Sequence, residues 1–315
     1  MKIAIIGGGI SGLSCAICLQ QAGFSPTLYS DKWTPNTTSD VAAAVWYPFT
    51  VEPEEKVAVW GKKSYEIFFD IGEESPESGV YFLPGYDLFG LKMPEQWWQH
   101  FVKDFRRLSG DEIPSGYVDG FSFLTPIIDM HYYMPWLEKR FLDGGGKKIT
   151  QKISHIEDVK ADIVINCAGL GSRELVNDKE VYPLKGLILK VHAPQIREFR
   201  HDFKNGPNCL SYIIPRKDNC VLGGTTEATD DLSVDMEAAK AIQRRCANLN
   251  PSLENAEILK YETGLRPARK EVRLEIDHSF SVPVVHNYGH GGAGVTISWG
   301  CAKEVLDHVN SLVKK

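Results

Sequence analysis

A glycine-rich turn near the N-terminus, GGGISG at residues 7–12, sets strong limits on the fold of this chain. The run at residues 2–6, which is apolar after Lys2, precedes the turn and predicts a buried strand. Residues 11–21 have the apolar spacing of a helix, which Gly23 closes, and a second strand-like run follows at residues 26–29. Strand, tight turn, helix and strand in this order predict a βαβ unit with parallel strands.

Each glycine of the turn has a physical role in such a unit. Gly7 makes the tight turn, Gly9 lets the backbone approach a pyrophosphate, and Gly12 lets the helix and the strand pack closely. The start of the helix supplies amide donors and a positive dipole to phosphates. Asp31 ends the second strand, where a carboxylate can accept a hydrogen bond from a ribose hydroxyl. The unit therefore predicts a dinucleotide-binding site.

Composition excludes several other classes of protein. The chain has 315 residues, of which 43% are hydrophobic, so a large core and more than one compact unit are expected. A net charge of -6 gives no general reason to bind nucleic acid or an anionic membrane. No apolar run reaches the roughly 18–20 residues needed to span a bilayer. The partners expected are therefore small molecules, and a homodimer is left open.

The seven cysteines predict reduced thiols and a cytoplasmic location, because their number is odd and most have apolar neighbours. Cys15 and Cys18 have the spacing of a redox motif, but they lie inside the predicted first helix and are interpreted as buried packing. His286 and His290 are four residues apart in a turn, and no cysteine or carboxylate completes a metal-ligand set. No metal site is predicted.

Segments with the pattern of a parallel sheet and its helices alternate along the chain with segments of mixed strands and helices. This alternation predicts two interleaved domains. The fold class is α/β, with a Rossmann-type dinucleotide-binding domain formed by residues 1–52, 135–185 and 262–315. Residues 53–134 and 186–261 form a mixed-sheet α+β substrate domain. We also expect a helix over residues 54–70, an aromatic helical face at residues 97–108 that packs into the core, and a final helix that begins near Val295.

The choice between a nicotinamide and a flavin depends on two further glycine turns. Asn166-Cys167-Ala168-Gly169 follows a buried strand, and residues 286–296, HNYGHGGAGVT, open the last helix. The start of that helix could face the N1–C2 edge of a flavin and stabilise the negative charge that develops there on reduction. Three glycine turns of this kind favour FAD, bound non-covalently, over a nicotinamide.

The sequence resembles the D-amino acid oxidase family, which includes D-aspartate oxidases. The matching stretches span almost the whole chain in family order, and the last two are long and specific. They are GGGISGLS at 7–14, TPNTTSDVAAAVWYPF at 34–49, VINCAGLGS at 164–172, SYIIP at 211–215, LGGT at 222–225, TGLRPARKEVRLE at 263–275 and HNYGHGGAGVTISWGCA at 286–302.

The resemblance implies roles for three substrate-binding residues. Arg269 matches the arginine that holds the substrate carboxylate, and a planar guanidinium suits bidentate binding of a carboxylate. From the residues alone, Arg266, Lys270 and Arg273 are equal alternatives, because they lie in the same stretch. Tyr212 matches a tyrosine whose hydroxyl contacts the same carboxylate, and Gly292 matches the glycine whose carbonyl receives the amine.

The cofactor contacts that motif and resemblance imply are spread over the three glycine turns and the segment after Asp31. They are Gly7, Gly9, Ile10, Ser11, Gly12, Asp31, Lys32, Thr37, Thr38, Ala43, Val164, Gly169, Gly291, Gly294, Val295 and Thr296.

Four positions bear on the shape of the pocket. Asn208 stands where vertebrate D-amino acid oxidases carry a lid tyrosine, and Phe49 replaces a tyrosine of the pocket wall. Thr226 stands where the D-aspartate branch supplies an arginine, which weighs against acidic substrates. His201 falls where pocket-edge residues lie in the family and could tune side-chain preference, although a lone histidine is more often a surface residue.

The activity implied by the resemblance is oxidative deamination of neutral D-amino acids to 2-oxo acids. Hydride passes from Cα to flavin N5, and dioxygen is the final acceptor, so ammonia and hydrogen peroxide are released. The alternatives left open are a D-aspartate oxidase, a flavin oxidase of glycine, sarcosine or other amines, a nicotinamide dehydrogenase and a non-catalytic flavoprotein.

Overall fold

The structure, a computed structural model, describes residues 1–48, 51–206 and 210–314. The α-helices in these ranges are α1 (Ile10–Gln21), α2 (Glu54–Glu74), α3 (Met130–Asp143), α4 (Ser172–Leu175), α5 (Met236–Leu249) and α6 (Ser298–Val313). The strands are β1 (Ile3–Ile6), β2 (Thr27–Ser30), β3 (Val80–Phe89), β4 (Arg106–Arg107), β5 (Asp119–Ile128), β6 (Lys147–Thr150), β7 (Ile163–Asn166), β8 (Tyr182–His192), β9 (Phe199–Asp202), β10 (Ser211–Pro215), β11 (Cys220–Gly223), β12 (Glu257–Ala268), β13 (Arg273–Asp277) and β14 (Val284–Tyr288).

The first sheet has the parallel core that the N-terminal motif predicts. Across the described residues its strand order is β13-β14-β7-β1-β2-β6. Strand β1 lies between β2 and β7 and pairs in parallel with both, while β13 joins the edge in the antiparallel sense. All residues of β1, β7 and β14 are buried, as is usual for parallel strands with helices packed on the sheet.

Helices α1 and α6 pack against each other, and the approach of α1 to β1 depends on Gly12. A Cβ atom at Gly12 would lie 1.9 Å from the carbonyl oxygen of Gly7, so a side chain does not fit there. A similar contact joins α6 to α2, where a Cβ at Gly300 would lie 2.2 Å from the carbonyl oxygen of Trp60. Both contacts let main chains approach closely within the core.

The second sheet is mixed. Among the described residues it contains strands in the order β12-β8-β11-β10-β9-β3-β5-β4. Neighbouring strands are antiparallel except for β9, which runs parallel to β3. Helix α5 packs against β8, β10 and β11, where Ile242 and Cys246 are fully buried. The fold is therefore α/β, with a Rossmann-type sheet and a mixed sheet whose strands alternate along the chain.

Two of the predicted domain boundaries fall inside strands of the second sheet. The boundary at residue 185 cuts β8, and the boundary at residue 262 cuts β12, although these two strands pair along residues 182–192 and 257–268. A sheet buries its strands through continuous hydrogen-bonded pairing, so both strands belong wholly to the second sheet. The division into two interleaved domains remains a prediction.

Three local expectations have outcomes in the structure. The helix predicted over residues 54–70 is confirmed as α2. The helical face predicted at residues 97–108 is wrong, since a 3-10 helix at Trp97–His100 and strand β4 occupy this segment. Its aromatic side chains nevertheless pack on the core, and Trp98 is fully buried among them. The last helix begins at Ser298 rather than near Val295, because a 3-10 turn at Gly291–Ala293 precedes it.

The buried thiols behave as packing residues. Cys15 and Cys18 are both fully buried in α1, which confirms their interpretation as core, and burial raises the pKa of the Cys18 thiol to about 12.

In the ranges that the structure describes, no helix has the length and hydropathy to cross a membrane. The same ranges hold no cluster of three or more histidine, cysteine or acidic side chains arranged for a metal ion.

Candidate functional site

A cavity of about 910 Å³ runs along the carboxyl edge of the parallel sheet. Its lining includes the residues that follow the strand ends: Gly7 after β1, Asp31 after β2, Gln151 after β6, Cys167 after β7 and His290 after β14. Ligands of open α/β sheets bind in this place, outside the carboxyl ends of the strands. The volume lies at the upper end of the usual range for ligand sites, as an extended dinucleotide requires.

The N-terminal turn forms one wall of this cavity, and its geometry fits a pyrophosphate. Gly7 has a φ of 123°, and a Cβ there would lie 2.2 Å from the carbonyl oxygen of Cys167. Gly9 has an extended backbone, and a Cβ there would meet only the Ser39 hydroxyl, at 3.0 Å. The backbone at Gly9 is therefore open to a ligand, beside the N-terminus of α1.

Most of the predicted site residues share this one cavity. Those that line it are Gly7, Gly9, Ile10, Ser11, Asp31, Lys32, Thr37, Thr38, Ala43, Gly169, Tyr212, Gly291, Gly292, Gly294, Val295 and Thr296. Gly12, Val164 and Arg269 are not part of the lining. Gly12 instead packs against Gly7, as its predicted role in the turn requires, and Val164 is fully buried within β7.

The structure does not bring Arg269 into the cavity, so its assignment as the carboxylate-binding residue needs correction. Its Nε donates to Asp178 at 3.1 Å, and its Nη2 lies 2.8 Å from a carboxylate oxygen of Glu180. Its Nη1 donates to the carbonyl oxygen of Glu271. Arg269 follows the end of β12, and its donors are already occupied by the protein.

Arg266 is the arginine that the fold places in the cavity, on β12 beside the lining residue Gly264. Its Nη1 donates to the carbonyl oxygens of Thr225, at 3.1 Å, and Lys185, at 3.4 Å. Among the described residues no carboxylate pairs with this guanidinium. A cation that lines a cavity without an ion-pair partner is suited to an anionic ligand.

Tyr212 lies next to Arg266 and is almost completely buried. Burial raises the pKa of its phenol, and the nearby Arg266 guanidinium offsets part of that rise. The phenol is therefore protonated at neutral pH and can donate a hydrogen bond. Arg266 and Tyr212 together offer N–H and O–H donors to one anion.

Glycines make room for both side chains. A Cβ at Gly186, on β8 beside β12, would lie 2.4 Å from Nη2 of Arg266. A Cβ at Gly223, opposite Tyr212 on β11, would lie 2.3 Å from the phenol oxygen. The guanidinium and the phenol can lie flat over the sheet because these positions have no side chain.

Replacing Gly186 with alanine tests this arrangement. The methyl group would push the flexible end of Arg266 aside while the strand stays in place, so we expect kcat/KM to fall about tenfold to a hundredfold with unchanged flavin content. Gly264→Ala is the matched control, since Gly264 faces Gly186 across the ladder and its Cβ would touch Val41 instead. Equal losses in both variants would contradict the argument.

The third glycine turn faces the same cavity from the first sheet. Gly291, with a φ of 53°, begins a 3-10 helix, and the Thr296 hydroxyl fastens the turn by donating to the carbonyl oxygen of Tyr47 at 2.9 Å. His290 is buried with Nε2 at 2.9 Å from the side-chain oxygen of Asn287, and burial lowers its pKa to about 4. The imidazole is therefore neutral and holds the turn in shape.

His201 is not a surface residue, contrary to the interpretation of it as a lone histidine. It is 3% exposed, lines the cavity, and its Nδ1 lies 2.9 Å from a carboxylate oxygen of Asp87. Nothing in the local sequence signals this pair, because 114 positions separate the two residues.

Sequence reasoning also missed the lining segment 151–155, which follows the short exposed strand β6. Phe49 and Asn208 lie outside the described residues.

Comparison with known proteins agrees with this geometry. The model of the FAD dependent oxidoreductase family matches residues 2–308. A D-amino-acid oxidase of Rubrobacter xylanophilus is 42% identical over 96% of this chain and 94% of its own length. A human D-aspartate oxidase is 36% identical over 99% of this chain and 95% of its own length.

The fold is also found among solved structures. A glycine oxidase from Bacillus cereus superposes with a TM-score of 0.81 at 19% identity, covering 98% of this chain and 95% of that one. A likeness at that identity concerns the fold, whereas the family match and the curated relatives extend over nearly all of the sequence. The chain therefore belongs to the FAD dependent oxidoreductase family, and FAD is its cofactor.

Proposed function

We propose that this protein is a D-amino acid oxidase that converts neutral D-amino acids and dioxygen into 2-oxo acids, ammonia and hydrogen peroxide. The observation that carries the proposal is the pairing of Arg266 with Tyr212 at the end of the cavity formed by the second sheet. The curated relatives named D-amino-acid oxidase, which match nearly the whole chain, support it.

The substrate carboxylate binds to Arg266 and Tyr212. Two N–H donors of the guanidinium match the two carboxylate oxygens, and the Tyr212 hydroxyl adds a third hydrogen bond. Both donors are held against the sheet, so binding fixes the direction in which the rest of the substrate points. In this proposal Arg266 takes the role that the resemblance assigned to Arg269.

The amine is held by the third glycine turn, where the carbonyl oxygen of Gly292 accepts its hydrogen bond. With carboxylate and amine both fixed, Cα has a single orientation in the cavity, and this orientation selects one enantiomer. An amine bound in its neutral form needs no general base. Catalysis by the protein is then orientation and electrostatics, which can supply a large share of a rate enhancement.

The glycine turns hold FAD along the sheet edge. The turn at residues 7–12 and the N-terminus of α1 receive the pyrophosphate, Asp31 and Lys32 lie at the adenosine end, and Gly291–Thr296 lie at the flavin end. Bound FAD would supply the two-electron acceptor for the hydride of Cα, with dioxygen as the final oxidant and hydrogen peroxide as its product. Water then hydrolyses the released imino acid to the 2-oxo acid and ammonia.

The cavity wall supports neutral substrates over acidic ones. Thr226 lines the cavity where an arginine would be needed to neutralise a second carboxylate. Near Tyr212 the lining includes Tyr47, Phe203 and Leu210, which favour apolar or uncharged side chains.

We also propose a reducing, cytoplasmic location, which the six free buried cysteines of the described residues support.

A peroxide screen of the purified yellow protein tests the function. We expect peroxide in air with neutral D-amino acids, none with the L-enantiomers, and bleaching of the flavin by the same substrates without oxygen. D-alanine should be oxidised in preference to sarcosine, glycine and D-aspartate. Bleaching by sarcosine alone would identify an oxidase of secondary amines, and protein that binds no FAD would contradict the proposal.

A further inference from the structure

Three side chains lie in register on one face of the second sheet. Asp87 on β3 is the ladder partner of His201 on β9, and His201 is the partner of Tyr212 on β10. Side chains at paired positions lie next to each other on the same face of a sheet. His201 therefore lies between Asp87 and the tyrosine of the proposed carboxylate site, on the side of Tyr212 away from Arg266 in the strand order.

Asp87 is fully buried, and His201 is its main partner. Their Oδ1 and Nδ1 atoms are 2.9 Å apart. Burial raises the pKa of Asp87, and the interactions with His201, followed by a weaker one with the Tyr47 hydroxyl, oppose that rise. A carboxylate buried without a partner is costly, so Nδ1 carries the hydrogen and donates it to Asp87.

This contact leaves the second ring nitrogen of His201 for the cavity. Among the described residues Nε2 has no hydrogen-bond partner, and the ring lines the cavity. Its neighbours there are aromatic: the ring centroids of Tyr47 and Phe203 lie 5.2 and 5.8 Å from that of His201. A polar atom in such surroundings is a recognition point for a ligand group.

The position suits the side chain of a bound amino acid. The His201 ring centroid lies 6.3 Å from that of Tyr212, whose hydroxyl holds the substrate carboxylate in the proposed function. By standard bond lengths, the γ or δ atoms of an amino acid lie roughly 3–5 Å from its carboxylate carbon. A side chain directed along the row of strands therefore reaches His201.

The chemistry of the pair determines which group is favoured at Nε2. A side-chain amide carries both an N–H donor and a carbonyl acceptor, so it can form a hydrogen bond with Nε2 whether this atom accepts or donates. Asp87 already places one carboxylate against the ring, which disfavours a second carboxylate in the same enclosed wall. An amide forms the hydrogen bond without adding charge.

We propose that His201, positioned by Asp87, determines specificity through a hydrogen bond between Nε2 and the side-chain amide of amide substrates, namely D-asparagine and D-glutamine. The proposal rests on the proposed function, and it names a substrate class within it. His201 contacts the substrate, and Asp87 is a positioning residue that acts through the imidazole.

Isosteric substrates test the proposal. D-asparagine, D-aspartate and D-leucine have nearly the same shape, so ratios of their kcat/KM values report chemistry at the end of the side chain. In the wild-type holoenzyme we expect D-asparagine to exceed both others. His201→Leu should lower the ratio of D-asparagine to D-leucine about tenfold to a hundredfold, the usual effect of leaving a buried polar group of the substrate without its hydrogen bond.

Two further variants separate recognition from folding. His201→Leu removes the main partner of the buried Asp87, so the double variant Asp87→Asn with His201→Leu removes the charge as well and should show the same loss of ratio. His201→Gln keeps an amide that can donate or accept near the position of Nε2 and should retain part of the preference. Asp87→Asn alone should lower the ratio of D-asparagine to D-leucine while the flavin spectrum stays unchanged.

The outcomes distinguish this proposal from the function on which it rests. If D-leucine is oxidised but the ratio changes by less than about twofold in the double variant, the role of His201 is refuted and the oxidase stands. A wild-type preference for D-aspartate over D-asparagine would also overturn it. If no D-amino acid yields peroxide, the proposed function itself fails.

Discussion

Arg266→Ala is expected to lower kcat/KM for every D-amino acid roughly a thousandfold, with FAD still bound. The guanidinium supplies two charge-assisted hydrogen bonds to the carboxylate, and each is worth about 1.5–3 kcal/mol. Arg266 also orients Cα, so the loss should appear in kcat as well as in KM. Steady-state kinetics measure this effect, and the flavin absorbance confirms that the cofactor is still bound.

Arg269→Ala is the matched control for this prediction. Arg269 is three residues away, and its ion pairs are with Asp178 and Glu180. Its loss should reduce thermal stability and leave KM for D-amino acids nearly unchanged, because no donor of Arg269 reaches the cavity. If Arg269→Ala raises KM and Arg266→Ala does not, the assignment drawn from the fold is wrong. Arg266→Lys should recover only part of the activity, since an ammonium lacks the bidentate fork.

Gly9→Val is expected to yield a folded protein that is almost free of FAD and therefore inactive. The backbone at Gly9 is extended, with φ -82° and ψ -173°, a conformation that a β-branched residue adopts readily. The new methyl groups would occupy the open side of the turn, where the pyrophosphate approaches the backbone. We expect FAD affinity to fall roughly a hundredfold or more, measured by flavin fluorescence on titration of the apoprotein.

The contact between Gly9 and Ser39 supplies the control. A Cβ at Gly9 would lie 3.0 Å from the Ser39 hydroxyl, which accepts a hydrogen bond from the Ile10 amide. Adding Ser39→Ala to Gly9→Val relieves this contact but leaves the pyrophosphate position blocked, so FAD binding should not return. Recovery in the double variant would mean that Ser39 was displaced and the phosphate site was never blocked. Gly12→Ala should instead impair folding, because its Cβ would lie 1.9 Å from the Gly7 carbonyl oxygen.

Much of the cofactor half of the site could be predicted from the sequence, because its signals are local. A strand, three glycines at fixed spacing and a helix specify the turn at residues 7–12 within one βαβ unit. The third turn, from Gly291 to Thr296, was recognised in the same way. Val164 is buried inside β7 and is not part of the cavity lining, so its role as a cofactor contact stays a prediction.

The substrate half depends on contacts between strands that are distant in sequence. Arg266, Arg269 and Arg273 lie within one stretch, and each is a plausible carboxylate ligand by residue type. Pairing of β12 with β8 directs Arg266 over Gly186 into the cavity, while carboxylates engage the other two. The prediction of a helical face at residues 97–108 was wrong for a similar reason. The aromatic residues have helical spacing, but the segment packs on the core as a 3-10 helix and a short strand.

From the amino-acid sequence it follows that this chain folds around a parallel sheet and binds a dinucleotide at its glycine turns. This inference is possible because the glycine turn, its strand and its helix are neighbours in the chain, and their spacing carries the geometry. The three-dimensional arrangement of the strands was needed to show that Arg266 faces the cavity and that Asp87 holds His201 in its wall. Both features depend on strand register and buried ion pairs, which join residues that the sequence leaves far apart.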